Sequence, residues 1–177
     1  MTHPRFYFET FLLPNHDDFL KNTLSIRHAM NAAGSAYNIA EWIVRFYSND
    51  STRLFGLSVK ECNGGINSLL TKYRKYINED VLIPSPGYST RNDYFLLGDI
   101  WNGHKHLLLN KNDKRVDGGM CITQGHVRWR DPHFLADHEG SIEHLIVELS
   151  NGARRNFSTV IKTVVEGWIA VFKSYDL

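Results

Sequence analysis

Cysteine is scarce in this chain, and the positions of the cysteines exclude the usual zinc-binding patterns. The 177 residues include only Cys62 and Cys121, and these form no CxxC pair. Structural zinc sites normally take their ligands from such closely spaced pairs. Two isolated cysteines are typical of small buried residues in a protein from a reducing compartment.

Long apolar runs are also missing. No window approaches the roughly 20 apolar residues that a membrane-spanning helix needs. The N-terminal apolar patch is interrupted by Glu9 and Pro14, and it lacks the small-residue cleavage site of a signal peptide. We therefore expect a cytoplasmic protein with no part in the membrane.

The chain has no excess of charge of either sign. Twenty basic and 19 acidic residues give a formal net charge of +1. Such a balance excludes a chain-wide electrostatic attraction to nucleic acid or to a membrane surface, although a local basic patch stays open. The 42% hydrophobic and 22% charged residues are typical of a globular protein. The length predicts a single domain over residues 1–177.

Several common catalytic motifs are absent as well. The sequence contains no GxSxG, no P-loop, no GxGxxG and no HExxH. These absences count against the familiar serine hydrolase, nucleotide-binding and zinc-protease sites, and we predict no cofactor. His133 and His138 are candidates for a metal-dependent hydrolase, but their spacing is loose and we predict no metal site.

Most of the chain follows the apolar period of amphipathic helices. Asn15 is the predicted cap of a first long element that ends near Tyr47 and has a break near Asn22 or Thr23. Ser58 is the predicted cap of the next helix. The remaining predicted helices cover residues 90–109 and the segment that Ser158 is predicted to cap. Apolar stripes at helical spacing run from Ile26 to Val44 in the first long element and from Val160 to Phe172 in the last helix.

A pair of glycines stands inside the predicted second helix, which covers residues 58–80. Gly64 and Gly65 each disfavour a helix interior by about 1 kcal/mol relative to alanine. They indicate close packing, a kink or a later start of the helix.

The apolar pattern changes from helical spacing to alternation before the last helix. The segments GGMCITQGHVRW and IEHLIVEL alternate as strands do. We therefore predict a mainly α fold, an antiparallel bundle of four to five helices, with one small β-hairpin before the C-terminal helix. The hairpin forms an insertion at about residues 117–150.

The stretch GDIWNGHKH carries the strongest candidate site. Asp99, Asn102 and His106 are spaced to lie on one face of a helix. A histidine titrates near neutral pH and can act as an acid or a base, and an amide can bind a phosphate oxygen. His104 and Lys105 are further binding candidates. On a helix, Lys105 points about 100° away from His106.

The first long helix has a polar face that could meet this motif. Arg27, Asn31 and Glu41 stand near helical spacing there. The alternative to catalysis is therefore a structural polar seam, in which Asp99 pairs with Arg27, and Asn31 or Glu41 satisfies the amide of Asn102.

The motif helix GDIWNGHKHLLL resembles the D-I-x-N-x-x-K-H helix of many uncharacterised bacterial and phage proteins. The segment IRHAMNAAGSAYNIAEWI looks like the matching segment of that group. More distantly, the layout resembles HEPN-type helical domains. That resemblance implies a small helix bundle, often a homodimer, and a metal-independent ribonuclease of toxin–antitoxin or antiphage systems.

The resemblance assigns roles to particular residues. Asn102 and His106 match the asparagine and histidine of the HEPN active motif, and His106 would be the acid or base at a ribose hydroxyl. Trp101 occupies the position of the motif's arginine. Arg27 or a residue of a second subunit would then supply the positive charge. The sequence leaves open a second function, a non-catalytic helical protein that binds or regulates a protein partner.

Overall fold

The computed structural model describes residues 2–57, 64–81, 93–109, 127–129, 145–149 and 154–177. The expectation of a mainly helical chain is confirmed. The helices are α1 (Pro4–Tyr7), α2 (Leu13–Lys21), α3 (Ile26–Phe46), α4 (Gly65–Tyr76), α5 (Asp93–Leu109) and α6 (Phe157–Ser174). A 3₁₀ turn covers Ser51–Leu54, π turns cover Phe8–Leu12 and Ile77–Val81, and the strands are β1 (Val127–Trp129), β2 (Ile146–Leu149) and β3 (Arg154–Asn156).

The N-terminal segment is helical from Pro4, so the predicted cap at Asn15 is wrong. His3 caps α1, because its Nδ1 accepts a hydrogen bond from the backbone N–H of Arg5. A π turn then joins α1 to α2. It lies just before Pro14, which has no N–H to continue an α-helix. Asn15 is therefore an interior residue of α2.

The predicted break after α2 is confirmed. Asn22 ends α2 with φ of −145° and ψ of 78°, outside the helical region, and Ser25 caps the next helix. The Ser25 side chain accepts a hydrogen bond from the backbone N–H of His28 at 3.3 Å. This cap satisfies one of the free N–H groups at the start of α3.

Helix α3 lies at the centre of the hydrophobic core. It packs against α1, α2, α4, α5 and α6. Its buried face is rich in small residues, namely Ala29, Ala32, Ala33, Gly34, Ala36 and Ala40. The indole N–H of Trp168 in α6 donates a hydrogen bond to the Ala36 carbonyl at 2.8 Å. Small side chains let the neighbouring helices approach closely enough for such a contact.

Helix α4 begins later than the sequence predicted. Gly64 is its N-terminal cap and Gly65, with φ of +64°, is its first residue. The glycine pair therefore marks a start, which is one of the three alternatives that the sequence left open. The predicted cap at Ser58 lies outside the described residues. So do the first three residues predicted for the helix at 90–109.

The β-region contains a third strand that the sequence did not predict. The strands form an antiparallel sheet in the order β1-β2-β3, in which Arg128 faces Glu148 and Ile146 faces Asn156. Pairing therefore continues beyond residue 150, the predicted end of the insertion. Most of the predicted 117–150 insertion lies outside the described residues. Leu145 and Val147 are fully buried and belong to the same core as the helices.

The cap of α6 is Asn156, so the prediction of Ser158 is wrong. The Asn156 carboxamide oxygen accepts a hydrogen bond from the Ser158 backbone N–H at 2.8 Å. Asn156 is both the last residue of β3 and the cap, which is why the helix starts directly from the sheet. The sequence periodicity predicted the apolar stripe of α6 correctly, but it did not predict that the helix starts directly at the end of a strand.

A buried ion pair connects the sheet to α5. Arg155 Nη2 lies 2.7 Å from Asp93 Oδ1, and the Asp93 side chain has no exposed surface. Burial raises the pKa of Asp93, while the adjacent Arg155 guanidinium opposes that rise. The pair therefore ties β3 to the first residue of the motif helix.

Across the described parts of the chain, none of the helices has both the length and the apolar character needed to cross a bilayer.

Candidate functional site

The motif helix contributes Asp99 and Asn102 to a group of polar side chains between three helices. We call this group the polar cluster; it consists of Tyr37 and Glu41 of α3, Arg74 of α4, and Asp99 and Asn102 of α5. All of these residues are half-buried. The predicted convergence of Asp99, Asn102 and Glu41 is therefore seen, with two members that the sequence did not predict.

Tyr37 is the member that links the three helices. A side-chain hydrogen bond joins it to Asn102, and it interacts electrostatically with Asp99 and Glu41. The guanidinium carbon of Arg74 lies 4.2 Å from the centroid of its ring, in a cation–π arrangement. Burial raises the pKa of Tyr37 and Arg74 opposes that rise, so the phenol is a neutral hydrogen-bonding group at physiological pH.

A glycine in α5 makes room for the Tyr37 ring. A Cβ atom at Gly98 would lie 2.4 Å from the ring's Cε2 atom, which is closer than real Cβ contacts allow. The ring therefore rests directly on the backbone of α5, one residue before Asp99. On the other side, the hydroxyl of buried Tyr94 donates a hydrogen bond to the Tyr37 carbonyl at 2.8 Å.

Asp99 has the chemistry of an acid or base that works near neutral pH. Burial raises the pKa of its carboxyl group from 3.8 to about 7. A group that is partly protonated at the working pH can both donate and accept a proton. Carboxyl groups whose pKa is strongly shifted by burial are frequent in functional sites, and also in structural networks.

Arg74 supplies the positive charge of the cluster. It forms a side-chain hydrogen bond with Tyr94. Its Nε atom is buried and has no hydrogen-bond partner among the described residues. The sequence analysis missed Arg74 because it stands among the lysines of KYRKY. One signal was available, since Arg74 follows Leu70 by four residues and precedes Ile77 by three, on the apolar stripe of the helix.

Two predicted site residues do not join the cluster. Arg27 is exposed, and its Nη2 atom lies 3.2 Å from Nε2 of His28. Asn31 is exposed one turn later. They lie on the outer face of α3, because the alanines and Met30 occupy the face that packs against the other helices. Among the ion pairs of the described residues, none joins Arg27 to Asp99, so the predicted pairing is wrong.

Glu41 also forms an ion pair with a residue outside the cluster. Its Oε1 atom is 2.7 Å from Nε of Arg45, one helical turn later on α3. That pair is partly exposed, and such pairs contribute little to stability. Glu41 interacts electrostatically with Tyr37, which shares a side-chain hydrogen bond with Asn102. A direct hydrogen bond from Glu41 to the Asn102 amide stays a prediction.

The backbone of α5 continues as a helix to Leu109, so His106 follows Asn102 by one turn. The side chains of His104, Lys105 and His106 lie outside the described part of the chain. Their predicted roles in catalysis and binding stay predictions.

Trp101 has a packing role that explains why it stands beside the cluster. A Cβ atom at Gly34 of α3 would lie only 2.6 Å from Cε3 of the Trp101 ring. The indole therefore occupies the space that a larger residue at position 34 would need. Trp101 and Tyr37 reach across the α3–α5 contact in opposite directions, each lying against a glycine of the other helix.

Within the described ranges, no group of three or more histidine, cysteine, aspartate or glutamate side chains is arranged to hold a metal ion. No protein-family model, curated protein or solved structure matches the chain.

Proposed function

We propose that this chain is a HEPN-like protein of bacterial or phage defence or toxin–antitoxin systems, and that the polar cluster is part of a metal-independent endoribonuclease site. One observation carries the proposal: Tyr37 contacts the Arg74 guanidinium and shares a side-chain hydrogen bond with Asn102, so a cation of α4 and an amide of α5 reach the same ring. That cation compensates for the tryptophan at position 101. It replaces Arg27, the candidate drawn from the sequence.

The proposed reaction needs only side chains of the chain itself. His106 removes the proton from a ribose 2′-hydroxyl, and the resulting oxygen attacks the adjacent phosphorus. The bond from phosphorus to the next 5′-oxygen breaks, and that oxygen takes a proton from protonated Asp99, whose pKa is about 7. Arg74 and Asn102 bind the phosphate oxygens and stabilise the charge that develops on them.

The test is cleavage of labelled RNA in EDTA by the full chain and three variants. His106→Ala is expected to reduce the rate at least about 100-fold. Arg74→Gln is expected to reduce it by about the same factor, because one charge-stabilising donor is lost. Arg27→Gln is the matched control, since it removes an exposed arginine of α3. It should leave the rate unchanged.

The folded state of each variant is checked by circular dichroism before rates are compared. No cleavage by the wild-type chain, or full cleavage by His106→Ala, would overturn the ribonuclease proposal. Full activity in Arg74→Gln would remove Arg74 from the site while leaving His106 in it.

A different observation favours a second candidate, a non-catalytic protein that acts by binding. Four aromatic side chains of α1, the first π turn and α3 are exposed or half-buried and contact one another, and we call them the aromatic surface: Phe6, Tyr7, Phe11 and Trp42. Exposed apolar patches of this kind mark protein contacts. The polar cluster would then be a structural polar seam, and the partner a second copy of the chain.

A further inference from the structure

A groove lies between the N-terminal helical segment and the C-terminal end of α6, away from the polar cluster. Its volume is about 400 Å³, within the size range of small-molecule sites. Its walls are apolar side chains from both elements: Phe8, Leu13, Ile169 and Phe172. The rings of Phe8 and Phe172 are stacked with their centroids 4.3 Å apart. The floor is therefore held by contacts within the core.

Charged side chains stand only at the rim of this groove. They are Arg5 and Lys173, which are cations, and Asp176, which is an acid. The Arg5 Nη2 atom lies 3.5 Å from the Asp176 carboxylate, but 43% of the Arg5 side chain and 93% of the Asp176 side chain are exposed. Such an exposed pair is weak and easily replaced. Arg5 also lies 3.9 Å from the Glu9 carboxylate, which is not part of the groove lining. Lys173 belongs to none of the ion pairs formed by the described residues, so the charged groups that line the groove are two cations and one acid.

The rim is held in place by the turn that follows α6. Arg53 donates hydrogen bonds to the carbonyl oxygens of Tyr175 and Asp176. Asp176 has a φ of +46°, in the left-handed region. These contacts fix the backbone of the turn from which the exposed Asp176 carboxylate reaches Arg5.

We propose that this groove binds an amphipathic carboxylate, a ligand with one aliphatic chain and one anionic head. The chain lies on the apolar walls, and the head displaces Asp176 to contact Arg5 and Lys173. The volume favours a chain of medium length. A cationic or neutral head would lack the charge that the rim selects, because two of its three charged groups are basic.

The probe is decanoate, titrated calorimetrically into the full chain below its micellar concentration. One saturable site is expected, with Kd on the order of 100 µM for a ligand of this size. Decanol and decyltrimethylammonium have the same chain with a neutral and a cationic head. Both are expected to bind at least about tenfold more weakly, since they cannot form charge-assisted hydrogen bonds with the two cations.

Two kinds of variant locate the site. Arg5→Gln and Lys173→Gln should each weaken decanoate binding by about three- to tenfold without affecting decanol. Ile169→Trp fills the groove and should abolish binding of every probe. Its matched control is Ala170→Trp, which adds the same ring at the next, exposed residue of α6. The unfolding midpoint of each variant shows whether it has folded.

Each result decides the proposal. Saturable decanoate binding that is weakened by Arg5→Gln and lost in Ile169→Trp supports it. Absence of saturable binding overturns it, as does full affinity in a folded Ile169→Trp chain. Equal affinity for decanol and decanoate overturns the assignment of a carboxylate head. None of these outcomes depends on ribonuclease activity.

Discussion

At the residue scale, Asp99 links the stability of the protein to pH. Its carboxyl group has a pKa of about 7 in the folded chain, against 3.8 without perturbation. Between about pH 4 and pH 7, Asp99 is therefore protonated in the folded state and ionised in the unfolded state. As the pH rises through that range, Asp99 lowers the stability of the folded state, and the loss is complete above the folded pKa.

Asp99→Asn should therefore stabilise the protein at pH 8 but not at pH 4. After allowance for the exposed part of the side chain, we expect a gain of about 1–3 kcal/mol in the free energy of unfolding at the higher pH. Urea unfolding of both proteins at several pH values measures the difference. A difference that does not change with pH would contradict the buried state of the Asp99 carboxyl.

Gly34 is the second residue whose environment predicts a measurable effect. Gly→Ala inside a helix normally stabilises by about 1 kcal/mol. Here the new Cβ would lie 2.6 Å from the Trp101 ring, so we expect Gly34→Ala to destabilise by about 1–3 kcal/mol. Urea unfolding measures the sign directly.

The matching control combines Gly34→Ala with Trp101→Leu, which removes the ring that the methyl group meets. The double variant should lose less stability than the sum of the single variants, because the two residues are in contact. Additive losses would contradict a direct steric contact between the new methyl group and the Trp101 ring.

At the element scale, the start of α6 depends on Asn156. We expect Asn156→Ala to lower the free energy of unfolding by about 1 kcal/mol, since the cap to the Ser158 N–H is lost. Ser158→Ala is the control and should change stability by less than about 0.5 kcal/mol. Thermal unfolding of both variants shows which substitution lowers stability more. A larger loss from Ser158→Ala would mean that Ser158 caps the helix, as the sequence predicted.

At the scale of the whole molecule, the aromatic surface concerns assembly. Phe6 and Phe11 are 50% and 44% exposed. The Phe11 ring contacts Tyr7, whose ring centroid lies 5.0 Å from that of Trp42. A second copy of the chain that covered these rings would remove a large apolar area from water. The prediction is a concentration-dependent dimer.

Sedimentation velocity at micromolar concentrations tests the dimer. Phe11→Ser is expected to shift the wild-type chain towards the monomer by at least about tenfold in Kd. Leu20→Ser is the control, because Leu20 is also exposed, at 53%, but lies outside the aromatic surface. A monomeric wild-type chain, or equal effects of the two variants, would contradict dimerisation through this surface.

The residues that α5 contributes to the candidate site could be predicted from helical spacing. The residues that other helices contribute could not. Asp99 and Asn102 were correctly placed together because one helix determines their spacing. Arg27 was predicted as their partner and Arg74 was missed, because the choice depends on how α3 and α4 rotate against α5. That rotation follows from small-residue contacts such as Gly98 against Tyr37, which no periodicity describes.

The sequence by itself determined the helical class of the chain, the break before Ser25 and the apolar stripes of α3 and α6, because these depend on local propensity and on the 3.6-residue period. Only the tertiary structure decided that the N-terminal segment is helical through a π turn, that β3 pairs with β2, and that Asn156 caps α6. These features depend on partners distant in sequence. The raised pKa of Asp99 belongs with them, because burial exists only once α5 has packed against its neighbours.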